Sequence, residues 1–228
     1  MNHLAHFHLA GECEHLVVGA LLGDYVKGPL TGAMPQALER GIKLHRRVDA
    51  FTDGHAVLRA LRVHFGPGER RLAGVVTDLF FDYLLTRHWE RFRAPALRDF
   101  SARVHAILDR HADTLPPAAA RQARRIVEYD LLCRYGEPDV LDGTLQRLGE
   151  VLGQPQAMRG ATAVAWSRIG EFEAAFLDFY PQLIEIAGGE DVLPKLRFQQ
   201  AAKDRIILPD VVRAAAPELD VRVVGELE

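Results

Sequence analysis

HRRVDAFTD, residues 45–53, has the spacing of an amphipathic helix with ionisable groups on one face. In a helix, His45 and Asp49 lie one turn apart on the same side, and Asp53 lies one turn further on. An imidazole and two carboxylates in one row can bind a divalent metal that takes nitrogen and oxygen ligands. The alternative is an ordinary amphipathic helix whose polar face is solvated. The apolar Val48 favours the metal site, because it places the row at the border of the core.

Helical periodicity extends outward from this stretch over most of the chain. Apolar residues recur at intervals of three and four in the segments 15–27, 35–52, 56–65, 70–92, 96–112, 119–135, 138–152, 161–179 and 181–200. Glycine and proline clusters separate these segments, and no alternating strand pattern occurs before about residue 205. The pattern predicts an all-α fold with a single helical domain over residues 1–186. Residues 187–228 are expected to form a short, irregular C-terminal extension.

Composition narrows the classes of protein that this chain can belong to. It has 228 residues, of which 48% are hydrophobic, and a net charge of −3, which gives no reason to expect a nucleic-acid or membrane partner. Two cysteines, Cys13 and Cys133, are too few for a disulfide framework or a cysteine-based zinc site. No signal peptide is recognisable at the N-terminus, and no apolar run approaches the ~20 residues of a membrane-spanning helix. We therefore expect a soluble cytoplasmic protein.

Three further aspartates lie beside apolar runs, where a carboxylate is costly to bury without a partner. Asp24 follows the apolar segment 17–23, and Asp78 and Asp82 repeat the one-turn spacing within a second apolar segment. A helix cap or a salt bridge would satisfy Asp24, and buried ion pairs with arginines would satisfy the other two. A cation shared between helices is the alternative.

The N-terminal histidines offer one more candidate ligand or catalyst. His3 and His6 can share a helical face, whereas His8 cannot share it with both. One of the three would complete the site or act as an acid or base near neutral pH. A frayed, solvated N-terminus is the alternative.

Arginines occur in two places where they could meet an anionic ligand. Arg46 and Arg47 follow His45 directly and can neutralise an anionic substrate. Arg121 and Arg125 can share one helix surface, which is either a solvated face or a docking site for an acidic partner. The sequence contains neither a GxxxxGK phosphate loop nor a GxSxG nucleophile motif, which removes two common alternatives.

Three blocks of sequence occur in an informative order: MNHLAHFHLA at 1–10, LLGDYVKG at 21–28 and GIKLHRRVDAFTD at 41–53. Together they resemble the acyl carrier protein phosphodiesterases, and the resemblance continues through 82–89 and covers about residues 1–185. It implies a helical bundle related to the HD-type metal-dependent phosphohydrolases. The adjacent His-Asp pair of that wider group is absent, because Arg46 follows His45, so the metal ligands cannot be assigned from that signature.

The resemblance also implies a reaction. The phosphodiester that links 4′-phosphopantetheine to the serine of holo-acyl carrier protein would be hydrolysed, giving apo-carrier protein and free 4′-phosphopantetheine. The implied cofactor is a divalent metal, Mn²⁺ in the first place and Mg²⁺ as the alternative. Such a cation can activate water, neutralise phosphoryl charge and stabilise the leaving alkoxide.

The residues receive their expected roles from this reaction. Four side chains are expected to ligate the metal: Asp24, His45, Asp49 and Asp82. Three are candidates to orient or deprotonate the attacking water: Asp53, Asp78 and His6. Four basic residues are expected to contact the substrate: Arg46, which would hold a phosphate oxygen, with Arg47, Arg121 and Arg125, which would attract the acidic carrier protein.

Three other functions are compatible with the same sequence. The first is an HD-type phosphohydrolase that acts on a nucleotide such as a guanosine polyphosphate. The second is a non-catalytic module that binds acyl carrier protein, and the third is a purely structural helical protein. The oligomeric state stays open at this point.

Overall fold

The structure is a computed structural model that describes residues 1–93 and 95–188. Within these residues the chain forms twelve α-helices, one 3₁₀ helix at Ala112–Thr114 and no strand. The α-helices are α1 (His3–Ala10), α2 (Glu14–Leu22), α3 (Gln36–Gly54), α4 (Ala56–Arg62), α5 (Ala73–Arg87), α6 (Trp89–Phe92), α7 (Leu97–His111), α8 (Pro117–Glu128), α9 (Leu131–Arg134), α10 (Pro138–Val151), α11 (Pro155–Ser167) and α12 (Ile169–Ala187). The prediction of a single all-α domain is confirmed for the described residues. Apart from Ala187 and Gly188, the predicted extension lies outside them.

Several predicted helix boundaries are wrong. The predicted segment 161–179 spans Arg168, where α11 ends and α12 begins. Helix α12 runs from Ile169 to Ala187 straight through Pro181, whereas the periodicity predicted a break just before that proline. Pro181 gives up a single backbone hydrogen bond there, and packing of the surrounding apolar residues holds the helix together. The predicted segment 119–135 is interrupted at Asp130, whose φ of 46° is left-handed and separates α8 from α9.

Helices α2 and α3 pack so closely that their backbones are in contact. A Cβ atom built on Gly19 would lie 2.4 Å from the carbonyl oxygen of Leu38 and 2.7 Å from the Cα of Gly41. Only residues without a side chain permit this approach. Because the two helices lie so close, the residues that follow α2 are brought beside the middle of α3.

Aromatic side chains join α5 to α12 in the core. Phe81 of α5 packs against Phe176 and Phe179, with ring centroids 5.4 and 5.8 Å apart, and Phe80 packs against Phe172 at 5.6 Å. All five rings are fully buried, and each such aromatic pair stabilises the fold by roughly 0.5–1.5 kcal/mol beyond the burial of area. This contact fixes α5, which also carries Asp78 and Asp82.

Helix α1 is short and almost completely buried, with every residue from Leu4 to Ala10 in the interior. It packs against α2, α3 and α5, so the N-terminal histidines are not solvated as a frayed terminus would be. None of the helices that the structure describes has the length and apolar character needed to cross a membrane.

Candidate metal centre

Three side chains from α1 and α3 converge at one point. The Nε2 atoms of His6 and His45 each lie 3.1 Å from an oxygen of Asp49, one at Oδ1 and the other at Oδ2. The two imidazole rings are stacked, with centroids 3.9 Å apart and planes 12° from parallel. One ligand atom from each of the three residues lies within 4.8 Å of the other two. Two imidazoles and a carboxylate can therefore reach a common cation.

Asp24 approaches the same group from the end of α2. Its Oδ1 lies 3.4 Å from Nε2 of His45, and its side chain is about half exposed. The preceding residue, Gly23, makes room for the imidazole, since a Cβ built there would lie 2.1 Å from Cγ of His45. Asp24 can therefore act as a fourth ligand, and the second one that binds through oxygen, at the solvent side.

The orientation of the His45 ring is fixed by a hydrogen bond from the nitrogen that faces away from the carboxylates. Its Nδ1 donates to the carbonyl oxygen of Ala20 at 2.8 Å, so the neutral imidazole carries its lone pair on Nε2. That lone pair faces the carboxylates of Asp24 and Asp49, and it is stable there only when a proton or a metal cation lies between them. Burial opposes protonation, but the two carboxylates outweigh it and raise the pKa of His45 to about 9.

The charge states of the other members suit metal binding. Burial lowers the pKa of His6 to about 4, so its imidazole is neutral near pH 7. Burial would raise the pKa of Asp24, but His45 outweighs it and lowers that pKa to about 2. The pKa of Asp49 is lowered in the same way by His45 and His6. The group thus offers one neutral imidazole and two carboxylates, and Nδ1 of His6 is buried without a hydrogen-bond partner among the described residues.

Asp78 and Asp53 border this group without joining it. The α-amino group of Met1 lies 3.5 Å from Oδ1 of Asp49 and 3.2 Å from Oδ1 of Asp78, so it separates Asp78 from the three converging side chains. Burial raises the pKa of Asp78. Asp53 is exposed on the last turn of α3, and both acids line a cleft between α3, α4 and α5.

Asp82 has a different environment from the one expected of a ligand. Its side chain is fully buried, and its two oxygens accept hydrogen bonds from the backbone N–H groups of Leu4 at 2.8 Å and Ala5 at 3.1 Å. It therefore caps the first turn of α1, where the N–H groups lack partners within the helix. Burial raises the pKa of Asp82 to about 7, although both N–H groups oppose the shift. The structure thus places this carboxylate at a helix end and not among the converging ligands.

Arg46 is likewise engaged with the backbone. Its two Nη atoms donate to the carbonyl oxygens of Val26 at 2.6 Å and Gly28 at 2.8 Å. The guanidinium group that was expected to hold a phosphate oxygen instead fastens the loop that follows Asp24. Its neighbour Arg47 is exposed.

The basic residues of α8 lie near the same loop. Burial and Asp24 raise the pKa of Tyr25 to about 12, and the charges of Arg121 and Arg125 act against this shift, so both lie within electrostatic range of Tyr25. Between them on α8, Gln122 has its Nε2 atom 2.9 Å from Nε2 of His3. Arg121 is exposed and Arg125 half-buried, which gives the site a basic border on one side.

The family model of acyl carrier protein phosphodiesterase matches residues 1–183 of this chain. The chain belongs to the acyl carrier protein phosphodiesterase family. The match includes the four residues that converge at the candidate metal centre: His6, Asp24, His45 and Asp49.

Individual members of the acyl carrier protein phosphodiesterase family are similar along nearly their whole length. The protein of that name from Serratia proteamaculans is 32% identical over 188 residues, which cover 82% of this chain and 97% of the relative. Those from Yersinia pestis and Escherichia coli are each 29% identical over 188 residues, with the same coverage. No solved structure matches the chain, so the relation to HD-type phosphohydrolases stays a prediction.

Two kinds of site residue were missed in the sequence. Gly23 leaves room for the His45 ring. The signal in the sequence that identifies this glycine is its position directly before Asp24, at the end of an apolar helix. Arg59 and Arg62 line the cleft beside Asp53 and Asp78, and nothing in their local pattern distinguishes them from a solvated helix face.

Proposed function

We propose that this protein hydrolyses the phosphodiester between 4′-phosphopantetheine and the serine of holo-acyl carrier protein, releasing apo-carrier protein and 4′-phosphopantetheine. Membership of a family named for this activity supports the substrate. The observation that carries the chemistry is the approach of His6, His45 and Asp49 to one point. The free thiols Cys13 and Cys133 agree with the reducing cytoplasm predicted from the sequence.

The donor set indicates which cation the site would hold. His6, His45 and Asp49 would bind it, with Asp24 as the fourth ligand, and Mn²⁺ suits two imidazoles and two carboxylates better than Mg²⁺, which prefers oxygen ligands and retained waters. When bound, the cation would activate water and neutralise charge on the phosphoryl oxygens. Asp82 is assigned to the support of this site, because its hydrogen bonds to α1 hold the helix that presents His6.

The residues around the ligands have separate tasks. Asp78 is the first candidate to take a proton from the attacking water, since burial raises its pKa toward the working range of a general base. Asp53 is the second candidate. Arg46 acts through the loop after Asp24, and a direct contact with phosphate would require it to leave the carbonyl oxygens of Val26 and Gly28.

The border formed by Arg121 and Arg125 fits an acidic protein substrate. The charges of both guanidinium groups act on Tyr25, which follows Asp24 directly, so they lie within electrostatic range of the half-exposed side of the site. A basic rim accelerates the encounter with an acidic carrier protein, and salt screens the effect.

The decisive experiment incubates the protein with holo-acyl carrier protein and Mn²⁺ and follows the mass of the carrier. The expected result is conversion to the apo-carrier mass, with conversion lost in Asp49→Ala and retained in Asp109→Ala, an aspartate of α7 exposed on a different helix. Complex formation without release of 4′-phosphopantetheine would instead identify a binding module. Hydrolysis of a guanosine polyphosphate, with holo-carrier left intact, would replace the proposal by the nucleotide alternative.

A further inference from the structure

A cleft lies between α3, α4 and α5, directly beside the candidate metal centre. Its lining includes Thr52, Asp53, Arg59, Arg62, Gly74 and Asp78, and its cavity volume is about 50 Å³. A single water molecule needs a cavity of only ~10–15 Å³, so the cleft admits a group of several atoms. A drug-sized ligand fills a pocket of roughly 300–1,000 Å³, so this cleft can enclose only a short stretch of a chain, and the remainder would lie along its exposed rim.

The cleft is connected to the metal centre through neighbouring residues. Asp78, at one end of it, is separated from Asp49 only by the α-amino group of Met1, at 3.2 and 3.5 Å. Along α3, Asp53 follows His45 by eight residues, or about 12 Å at the helical rise of 1.5 Å per residue. A ligand that begins at the metal centre and continues along α3 therefore enters this cleft.

The polar groups of the cleft suit a neutral chain with amide groups. Asp53 and Asp78 supply carboxylate acceptors for N–H and O–H groups, and Arg59 and Arg62 supply guanidinium donors for carbonyl oxygens. One Nη atom of Arg59 donates to the carbonyl oxygen of Gly54, whereas Arg62 has no hydrogen-bond or ion-pair partner among the described residues. Because the lining carries two carboxylates as well as two guanidinium groups, it is poorly suited to a polyphosphate.

We propose that this cleft binds the pantetheine part of the substrate, a flexible chain of two amides ending in a thiol, while the phosphodiester lies at the metal centre. The inference rests on the proposed function and adds a subsite to it. Arg62 would donate to an amide carbonyl of the arm, and Asp53 would accept from an amide N–H. Recognition of the arm would then distinguish holo-carrier from other phosphodiesters.

Gly74 provides a way to block the cleft without disturbing the fold. It is the second residue of α5 and is exposed, and a Cβ atom built there would meet nothing within 4 Å. Gly74→Leu therefore adds a side chain to the cleft without a backbone clash. Gly170 is a matched control, because it is the second residue of α12, is exposed and has equally open space around it, but does not line the cleft.

The test measures kcat/KM on holo-acyl carrier protein with Mn²⁺, and inhibition by reduced pantetheine, which lacks the phosphate. In Gly74→Leu we expect kcat/KM to fall by about tenfold or more, mainly through KM, and pantetheine to inhibit about tenfold more weakly. Gly170→Leu should match the wild-type protein in both measurements.

The outcomes separate this subsite from the proposed function. Failure of the wild-type protein to act on holo-carrier would overturn the function, and the subsite with it. A working wild-type protein with equal kinetics in both leucine variants would overturn the subsite alone. A slower Gly74→Leu enzyme with unchanged inhibition by pantetheine would also overturn it, because the blocked cleft would not be where the arm binds.

Discussion

Replacement of Gly23 by alanine tests the geometry of the metal centre with a single methyl group. The new Cβ would lie 2.1 Å from Cγ and 2.6 Å from Cβ of His45. Carbon atoms in contact are ~3.5–4.0 Å apart, so the ring must retreat by about 1.4 Å. Rotation of the side chain cannot relieve the contact at the His45 Cβ, which is bonded to the backbone of α3. The two helices must therefore separate. Nε2 of His45 then leaves its position 3.4 Å from Asp24, and Nδ1 leaves the carbonyl oxygen of Ala20, whereas Asp49 moves together with His45 on α3.

The size of the effect follows from this displacement. A misplacement of ~1 Å in a catalytic group can reduce a rate by about 100-fold, so Gly23→Ala should lower the hydrolysis of holo-carrier by about that factor. Overpacking of this kind should also lower the free energy of unfolding by about 1–3 kcal/mol. Carrier mass spectrometry measures the first quantity and thermal or chemical denaturation the second. Gly170→Ala serves as the control, since its added methyl group meets open space.

A double-mutant comparison shows whether Gly23 acts through His45. In a His45→Gly background, the Gly23→Ala substitution meets neither the imidazole nor the Cβ of residue 45, so it should cause little further loss of activity or of the free energy of unfolding. A wild-type rate in Gly23→Ala would refute the argument. An equal loss in both backgrounds would refute it too, because the glycine would then act on something other than the histidine.

Three further predictions concern cation binding, proton linkage and docking. Excess Mn²⁺, at 100 times its Kd, should raise the free energy of unfolding by about 2.7 kcal/mol, except in Asp49→Ala. The affinity of the protein for Mn²⁺ should rise about tenfold per pH unit between about pH 6 and 8, because Mn²⁺ must displace the proton of His45, whose pKa is about 9. Calorimetry at several pH values measures this, and a flat profile would contradict it. The pKa of Asp82 is raised from 3.8 to about 7, so the contribution of this group to stability is complete below about pH 4. It is lost as the pH rises to about 7, by at most ~4 kcal/mol. Denaturation across this pH range should show the decline in the wild-type protein, and the same decline in Asp82→Asn would assign it to another group. Arg121→Glu should raise KM for the carrier more at low salt than at high salt, whereas Arg147→Glu on α10 should not, and a salt-independent effect would exclude electrostatic docking.

Local spacing in the sequence predicted one part of the site well. The interval of four residues placed His45 and Asp49 on the same face of a helix, and the structure has their side chains 3.1 Å apart. This arrangement depends only on the helical repeat, which a sequence displays directly. The all-α fold was predictable for the same reason.

The partners that meet across helices were not predictable in this way. Asp82 has the spacing of a ligand, but periodicity does not show that the free N–H groups of Leu4 and Ala5 face it. Arg46 follows a candidate ligand directly, and its carbonyl partners at Val26 and Gly28 come from a loop whose path the sequence does not display. Helical periodicity specifies the face of a helix, whereas the neighbour on that face depends on tertiary packing.

The cap on α1 has a consequence for the order in which the protein becomes active. The hydrogen bond from Leu4 to Asp82 joins residues 78 positions apart, and α1 has only eight residues, too few to remain helical alone in water. While the nascent chain leaves the ribosome, its first turn therefore has no stable shape until α5 has been synthesised. His6 reaches its place beside Asp49 only then, so the histidines of α1 take up their working positions after α3 and α5, which follow them in the chain, have been made.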